Sequence, residues 1–259
     1  MKLPLYIVNA FSREPFRGNP AAVCPLNEWL DDETMQRIAF QNNLSETAFI
    51  LPTDDGYQIR WFTPAAEVPL CGHATLASAA VVRRFLQPDC RRVDFQSMSG
   101  RLGVEFDQEK ILLDFPVIPA EKVAAPGNLI RGLSVQPAEV LVAEYYMAVL
   151  DSEEQVRGLD VNLKDFATLD RKGVIVTAPG DEVDFVSRFF APLLSVDEDP
   201  VTGSAHCTLV PYWAQRLGKT CLRAKQLSRR GGDLYCELQG NRVQLGGYTT
   251  FYLQGEIEI

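Results

Sequence analysis

Apolar and polar positions alternate in short runs along most of this chain, a period-two pattern that predicts strands. Residues 1–10 read as a first strand, and further runs lie at 102–106, 111–115, 140–150, 234–238, 243–245 and 249–253. Gly, Pro and Asp turns separate them. A helical period appears over 31–43, where Met35, Ile38 and Ala39 share a face and Asp31-Asp32-Glu33 sits at the start, as a helix N-terminus favours. It leads into a strand at 47–51. A weaker helix at 162–169 leads into a strand at 173–178. Two helical stretches differ from these, one behind Gly72 and one behind Gly203. Leu76, Ala79, Ala80 and Val81 in the first, and Leu209, Val210, Tyr212, Trp213 and Leu217 in the second, make them apolar on most sides. Such helices belong in an interior. Pro211 is expected to kink the second or to begin its regular part.

The same order of features occurs twice. Arg60-Trp61-Phe62-Thr63-Pro64 is echoed by Arg188-Phe189-Phe190-Ala191-Pro192, 128 positions on (188 − 60). Gly72-His73-Ala74 is echoed by Gly203-Ser204-Ala205, 131 positions on (203 − 72), so the second intervening loop is three residues longer. Two matches in order, in matching helical context, indicate a duplicated unit, with the crossover near Pro116, Pro119, Pro126 and Gly127. Duplicated halves pack about a pseudo-twofold axis. The expectation is that the two Gly-led helix starts converge on one cleft, a common kind of ligand site.

Composition narrows the function. With 46% hydrophobic and 23% charged residues the 259-residue chain can bury a full core. A net charge of −9 disfavours nucleic acid and anionic lipid as partners. No run is long enough to span a bilayer and the N-terminus does not read as a signal peptide, so a cytoplasmic protein is expected. The six cysteines form no CxxC pair and are expected as free thiols. GxGxxG, P-loop, GxSxG and HExxH motifs are all missing, which removes the usual support for dinucleotide, nucleotide, hydrolase and metalloprotease chemistry.

Each Gly-led helix start offers backbone N–H groups and the positive end of a helix dipole, which suits a carboxylate. Gly72, Ala74, Gly203 and Ser204 are the candidate contacts; alternatively, the two glycines merely permit tight turns. The only two histidines, His73 and His206, fall in these first turns. Either is a proton carrier if it faces a cleft, and a packed structural residue if not. A zinc site from Cys71, His73, His206 and Cys207 has spacings that fit no common pattern. Asp197-Glu198-Asp199-Pro200 reads either as a helix cap or as clustered carboxylates that raise one another's pKa. Glu46 lies where a helix hands over to a strand, and residue physics alone does not select it.

Phe16-Arg17-Gly18-Asn19-Pro20-Ala21-Ala22-Val23, Leu44-Ser45-Glu46-Thr47-Ala48-Phe49, Arg60-Trp61-Phe62-Thr63-Pro64, Leu70-Cys71-Gly72-His73-Ala74-Thr75 and Asp197-Glu198-Asp199-Pro200-Val201-Thr202-Gly203-Ser204-Ala205 together resemble the phenazine-biosynthesis PhzF-like family, which shares the diaminopimelate-epimerase fold. The resemblance implies an α+β fold of two pseudo-symmetric halves, each a curved β sheet or open barrel around one central helix. The halves would be 1–118, completed by a strand near 255–259, and 119–254. It maps the family's acid/base carboxylate onto Glu46, its His onto His73, and its Asp and Ser onto Asp199 and Ser204. It implies an isomerase that uses no cofactor or metal, moves a proton within a small cyclic or amino-acid-like carboxylic acid, and forms a homodimer. The epimerase relatives use two opposed cysteines; Cys71 takes the first position and the second falls at Pro200, which disfavours a two-thiol racemase. An epimerase with a carboxylate base, or a non-catalytic carboxylate-binding protein, are the alternatives. Beside longer relatives the loops of the second half look compact.

Overall fold

A computed structural model describes residues 1–259. The chain divides into two compact units, Met1–Asp114 with Gly246–Ile259, and Phe115–Leu245. The first contains β1 (Lys2–Ala10), β2 (Asn19–Pro25), α1 (Asp32–Asn42), β3 (Glu46–Thr53), β4 (Gly56–Phe62), β5 (Glu67–Val68), α2 (Gly72–Val81), β6 (Arg92–Ser97), β7 (Gly100–Asp107) and most of β8 (Lys110–Pro116). The second contains β9 (Glu121–Val123), α3 (Gly127–Leu133), β10 (Glu139–Val142), β11 (Tyr146–Val149), α4 (Glu153–Arg157), α5 (Leu163–Phe166), β12 (Val174–Pro179), β13 (Phe185–Phe190), α6 (Gly203–Leu217), β14 (Cys221–Gln226), β15 (Gly232–Gln239) and most of β16 (Arg242–Gly247). The last strand, β17 (Thr249–Glu258), belongs to the first unit. No helix is long and apolar enough to cross a membrane.

The duplication is visible in strand pairing. In the first unit β1–β2 is antiparallel, β2–β3 parallel across α1, β3–β4 antiparallel, β4–β6 parallel across α2, and β6–β7 antiparallel. In the second, β10–β11 is antiparallel, β11–β12 parallel across α4 and α5, β12–β13 antiparallel, β13–β14 parallel across α6, and β14–β15 antiparallel. Parallel neighbours need a crossover helix, so each unit is an α+β sheet threaded by two crossovers, the second of which is buried. In α2 every residue from His73 to Val81 is buried, and the helix packs on β1, β2, β3 and β17. In α6 the buried set includes Leu209, Val210 and Trp213, with Trp213 stacked on Phe185 at 5.8 Å.

A pair of partly buried ion pairs repeats with the fold. Arg60 donates from Nε and Nη2 to both oxygens of Glu67, each at 2.7 Å, and stacks over Phe62 at 5.2 Å. Arg188 does the same to Glu198 at 2.6 and 3.1 Å and stacks over Phe190 at 4.9 Å. Each Glu stands five residues before its helix-opening Gly, so each clamp ties the edge of a strand to the loop that delivers the buried helix. The three extra residues of the second loop therefore lie between Arg188 and Glu198, where Pro192–Leu194 form a single 3₁₀ turn. Glu198 is thus committed to Arg188 and does not share a carboxylate cluster with Asp199.

Several expectations are corrected. The run 140–150 is two strands, because the chain turns back at Ala143–Tyr145 and pairs Val142 with Tyr146. That turn contains neither Gly nor Pro, so the apolar pattern reads through it. The helix expected at 162–169 shrinks to α5. The strand near 255–259 is the end of β17, which pairs with β1 from Thr249 onward, and the return to the first unit therefore begins at Gly246. Pro211 does not begin the regular part of α6, which runs through it. A proline removes the N–H that would bond the carbonyl four residues back. That carbonyl, on Cys207, accepts instead from the N–H of Ile118 at 3.0 Å, so the proline's defect anchors the crossover segment.

The clamps are expected to matter for stability in a way that surface pairs do not. Side-chain exposure is 13% for Arg188 and 22% for Glu198, against 52% and 55% for Arg92 and Glu105. Glu198→Ala leaves a mostly buried guanidinium without its carboxylate, held only by the Val156 and Leu159 carbonyls, and should cost about 3 kcal/mol, while Glu105→Ala should cost no more than about 1 kcal/mol. Urea unfolding of the two variants measures the difference; equal costs would contradict it.

Candidate active site

In the first unit, α1 ends at Asn43 in the left-handed conformation (φ 48°), and three residues later β3 begins with Glu46, paired in register with Ala21. The first turn of α2 brings His73 against it. His73 Nε2 lies 3.1 Å from Glu46 Oε2, but the two are not aligned as a hydrogen bond, and neither atom has another partner although both are buried. On the other side of the ring, Nδ1 faces the Asn19 amide nitrogen at 3.3 Å and Cys71 Sγ at 3.5 Å. Ser45 donates to Asn19 Oδ1 at 3.2 Å. Asn19 is placed by Gly18, whose φ of +73° and 2.2 Å distance from an added Cβ to the Ala10 carbonyl admit only glycine.

Electrostatics sets the protonation of this group. Burial alone pulls His73 down, but Cys71 and Glu46 outweigh it and hold the imidazole well above its ordinary value. Burial pushes the Cys71 thiol up to about 11, so at neutral pH it stays protonated and meets the His73 ring as a hydrogen-bond partner at 3.5 Å. The donor atoms of Glu46, Cys71 and His73 lie within 4.8 Å of one another. Each ring nitrogen of His73 faces one neighbour, Nε2 toward Glu46 and Nδ1 toward Cys71.

α2 begins without a side-chain cap, and so does α6, whereas Asp31 caps α1 through the Thr34 N–H at 2.8 Å. The first N–H groups of an α-helix have no partner within it, so both buried helices present Gly-led donors. Gly72 and Ala74 flank His73 on the first.

In the second unit Asp199, Gly203 and Ser204 sit at the start of α6. Thr202 donates its hydroxyl to Asp199 Oδ2 at 2.5 Å. Gln226, almost fully buried, accepts from the Thr202 N–H at 2.8 Å and donates to the Asp199 carbonyl at 2.8 Å. Asp199 therefore does not cap the helix; it is a carboxylate held in place by its own loop. Ser204 Oγ lies 3.4 Å from the Tyr145 hydroxyl. His206 is different from His73: its Nδ1 lies 2.8 Å from the Thr202 carbonyl, and burial lowers its pKa to about 4. Cys207 donates its thiol to the Gly203 carbonyl at 3.8 Å.

Residues 8–255 match the family described as phenazine biosynthesis-like protein, PhzC-PhzF. The chain belongs to this family. It is 48% identical over 260 residues to an uncharacterized isomerase of Pseudomonas aeruginosa, covering all of both chains. Among solved structures, a PhzF family protein of Enterococcus faecalis is 45% identical, with a TM-score of 0.98 and full coverage of both chains. A hydroxyproline epimerase from Agrobacterium vitis shares the fold at 10% identity, with a TM-score of 0.64 over 99% of this chain and 92% of that one. The end-to-end match with the Pseudomonas relative shows that the compact second half is not peculiar to this chain.

Within this family member the two units have diverged at the chemistry. Aligned on the helix-opening Gly72 and Gly203, the counterpart of Cys71 is Thr202, which corrects the expected Pro200, and that of His73 is Ser204. By strand register, with Thr47 opposite Phe62 and Val174 opposite Phe190, the counterpart of Glu46 is Gly173, where an added Cβ would lie 2.6 Å from the Phe189 ring, so no carboxylate fits there. Asn19 and Ser45 carried no role in the sequence reading, although both lie in its motifs. A buried Asn opening an otherwise apolar strand was the available signal. Gln226 left no signal, being one polar residue at a strand end.

The buried His206 predicts acid sensitivity. The unfolded chain takes up a proton near pH 6.5, but the folded one does not until about 4, so protonation favours unfolding only across that window. Stability should therefore fall by about 3 kcal/mol between pH 6.5 and 4 through this group. Urea unfolding at pH 7 and 4.5 should show a smaller acid loss for His206→Gln than for the wild type; equal losses would refute the assignment.

Proposed function

We propose that this protein is a cofactor-independent isomerase that moves a proton within a small carboxylic acid, and that Glu46 carries the proton. The observation that supports this most strongly is the approach of Glu46 to His73 at 3.1 Å, beside the uncapped start of α2. The Glu46 carboxylate takes a proton from a carbon that lies between the substrate's carboxyl or carbonyl group and a C=C double bond. The C–H electrons pass into an enolate, whose oxygen charge the N–H groups at the helix start are suited to stabilise. Glu46, now a carboxylic acid, returns the proton at another carbon while the electrons close the shifted double bond. Nothing is gained or lost overall, so no co-reactant is required. His73, held toward its cationic form, balances the carboxylate and orients it. Cys71, kept as a thiol, is a poor base at neutral pH.

The absence of a Glu46 counterpart at Gly173 and of a cysteine at Thr202 supports transfer by one carboxylate over inversion by two symmetric bases. Asp199 and Ser204 enter the proposal through the family resemblance as substrate-contacting residues.

The test is proton exchange in D₂O against a panel of small cyclic and amino-acid-like carboxylic acids, followed by NMR. Wild-type protein should replace a carbon-bound proton and form a positional isomer. Glu46→Gln should lower the exchange rate by about 10²–10⁴-fold while ligand-induced shifts persist, and Asp199→Asn and Ser204→Ala should weaken turnover. Unchanged exchange in Glu46→Gln would remove Glu46 from the reaction. Exchange at one carbon with inverted configuration would instead identify an epimerase.

A further inference from the structure

The far end of α2 carries a feature that the reaction does not use. After Val81 the helix widens into a π turn, Val82–Leu86, closed by the Gln87 N–H on the Val82 carbonyl at 2.7 Å. Such turns recur at functional sites. Beside it lies a groove of about 600 Å³, built from this turn, the β7–β8 hairpin, the loop after β1 and the start of β17. Its floor includes Ala80 and Ile111, and Arg13, Arg83 and Arg84 line its walls. Each guanidinium rests on an aromatic ring: Arg13 on Tyr248 at 3.6 Å, Arg83 on Phe106 at 4.6 Å, and Arg84 on Phe251 at 4.5 Å.

The charge is concentrated against the trend of the molecule, whose net charge is −9. The acid in the groove is Glu109, which meets Arg13 at 3.6 Å with both side chains well exposed. Arg83 spends one donor on the Gln108 carbonyl at 2.6 Å, which fixes its plane and leaves its other N–H groups to the groove. Stacked guanidiniums lose little freedom when they bind, and their N–H forks match phosphate oxygens in pairs. His73 is ten residues back along the helix, roughly 15 Å at 1.5 Å per residue, too far for one small substrate to reach both.

We propose that this groove binds a small molecule carrying a phosphate group on an apolar or aromatic body, separately from the isomerase site. The phosphate sits between the Arg83 and Arg84 forks, Arg13 closes the third side by releasing Glu109, and the body lies over Ala80 and Ile111.

Calorimetric titration of the full chain with inorganic phosphate and with AMP tests this at low and moderate salt. Saturable binding of AMP, weakening as salt rises, is the expected result. AMP tighter than phosphate assigns a role to the body; equal affinities assign recognition to the phosphate alone. Arg83→Gln/Arg84→Gln should weaken binding at least tenfold with the thermal midpoint within a few degrees of wild type. Should that pair unfold the protein, Arg13→Glu, on a different element, should still weaken binding several-fold. No saturable binding of either probe at millimolar concentration, or binding unchanged in the arginine variants, would overturn the proposal.

Discussion

The structure depends on burying two helices whose first turns have no side chain to satisfy them. An α-helix start is polar and carries partial positive charge, and a start without a cap must find another partner or remain open to a ligand. In this chain α2 and α6 are both enclosed by sheet and both begin on glycine without a cap. The Arg60–Glu67 and Arg188–Glu198 clamps hold the loops that feed them, and the Asp199–Thr202–Gln226 network stiffens the second loop further. The rigidity lies around the helix starts and the open donors lie at them, an arrangement suited to binding an anion.

The two units share this scaffold but not its chemistry. Identical pairing order, identical clamps and equivalent buried helices show that the duplicated framework is retained. The ionisable groups are not. Phe189 fills the place where a second Glu46 would stand, and Ser204 replaces a second His73. The two histidines illustrate the difference. Both are buried, yet the one beside a carboxylate is held toward its charged form and the one beside a carbonyl is held neutral. Burial alone does not decide the outcome; the neighbour does.

Much of this could be read from residues alone, for identifiable reasons. The duplication showed because Arg-aromatic-Phe and the helix-opening Gly are each constrained by a specific contact, the clamp and the tight entry to a buried helix. Helix α1 showed because its acidic start and apolar face are both local. What failed was non-local. The turn at Ala143–Tyr145 interrupts an apolar run without a turn residue, and it is set by pairing with neighbouring strands. Pro211 read as a kink or as the start of the regular helix, but the Cys207 carbonyl that it orphans is satisfied by Ile118, far away in sequence. Glu46 was invisible to periodicity and came only from the family likeness, since its importance rests on His73, 27 residues further on (73 − 46). Asn19, Ser45 and Gln226 act only through partners that folding supplies.

On the proposed reaction Glu46 and His73 form one coupled proton-holding pair. With two histidines in the chain, an NMR pH titration of the imidazole resonances measures it without a substrate. His73 should titrate well above the ordinary imidazole value, and Glu46→Gln should bring it down by removing the neighbouring carboxylate. A His73 that titrates at or below the ordinary value, unmoved by Glu46→Gln, would contradict it.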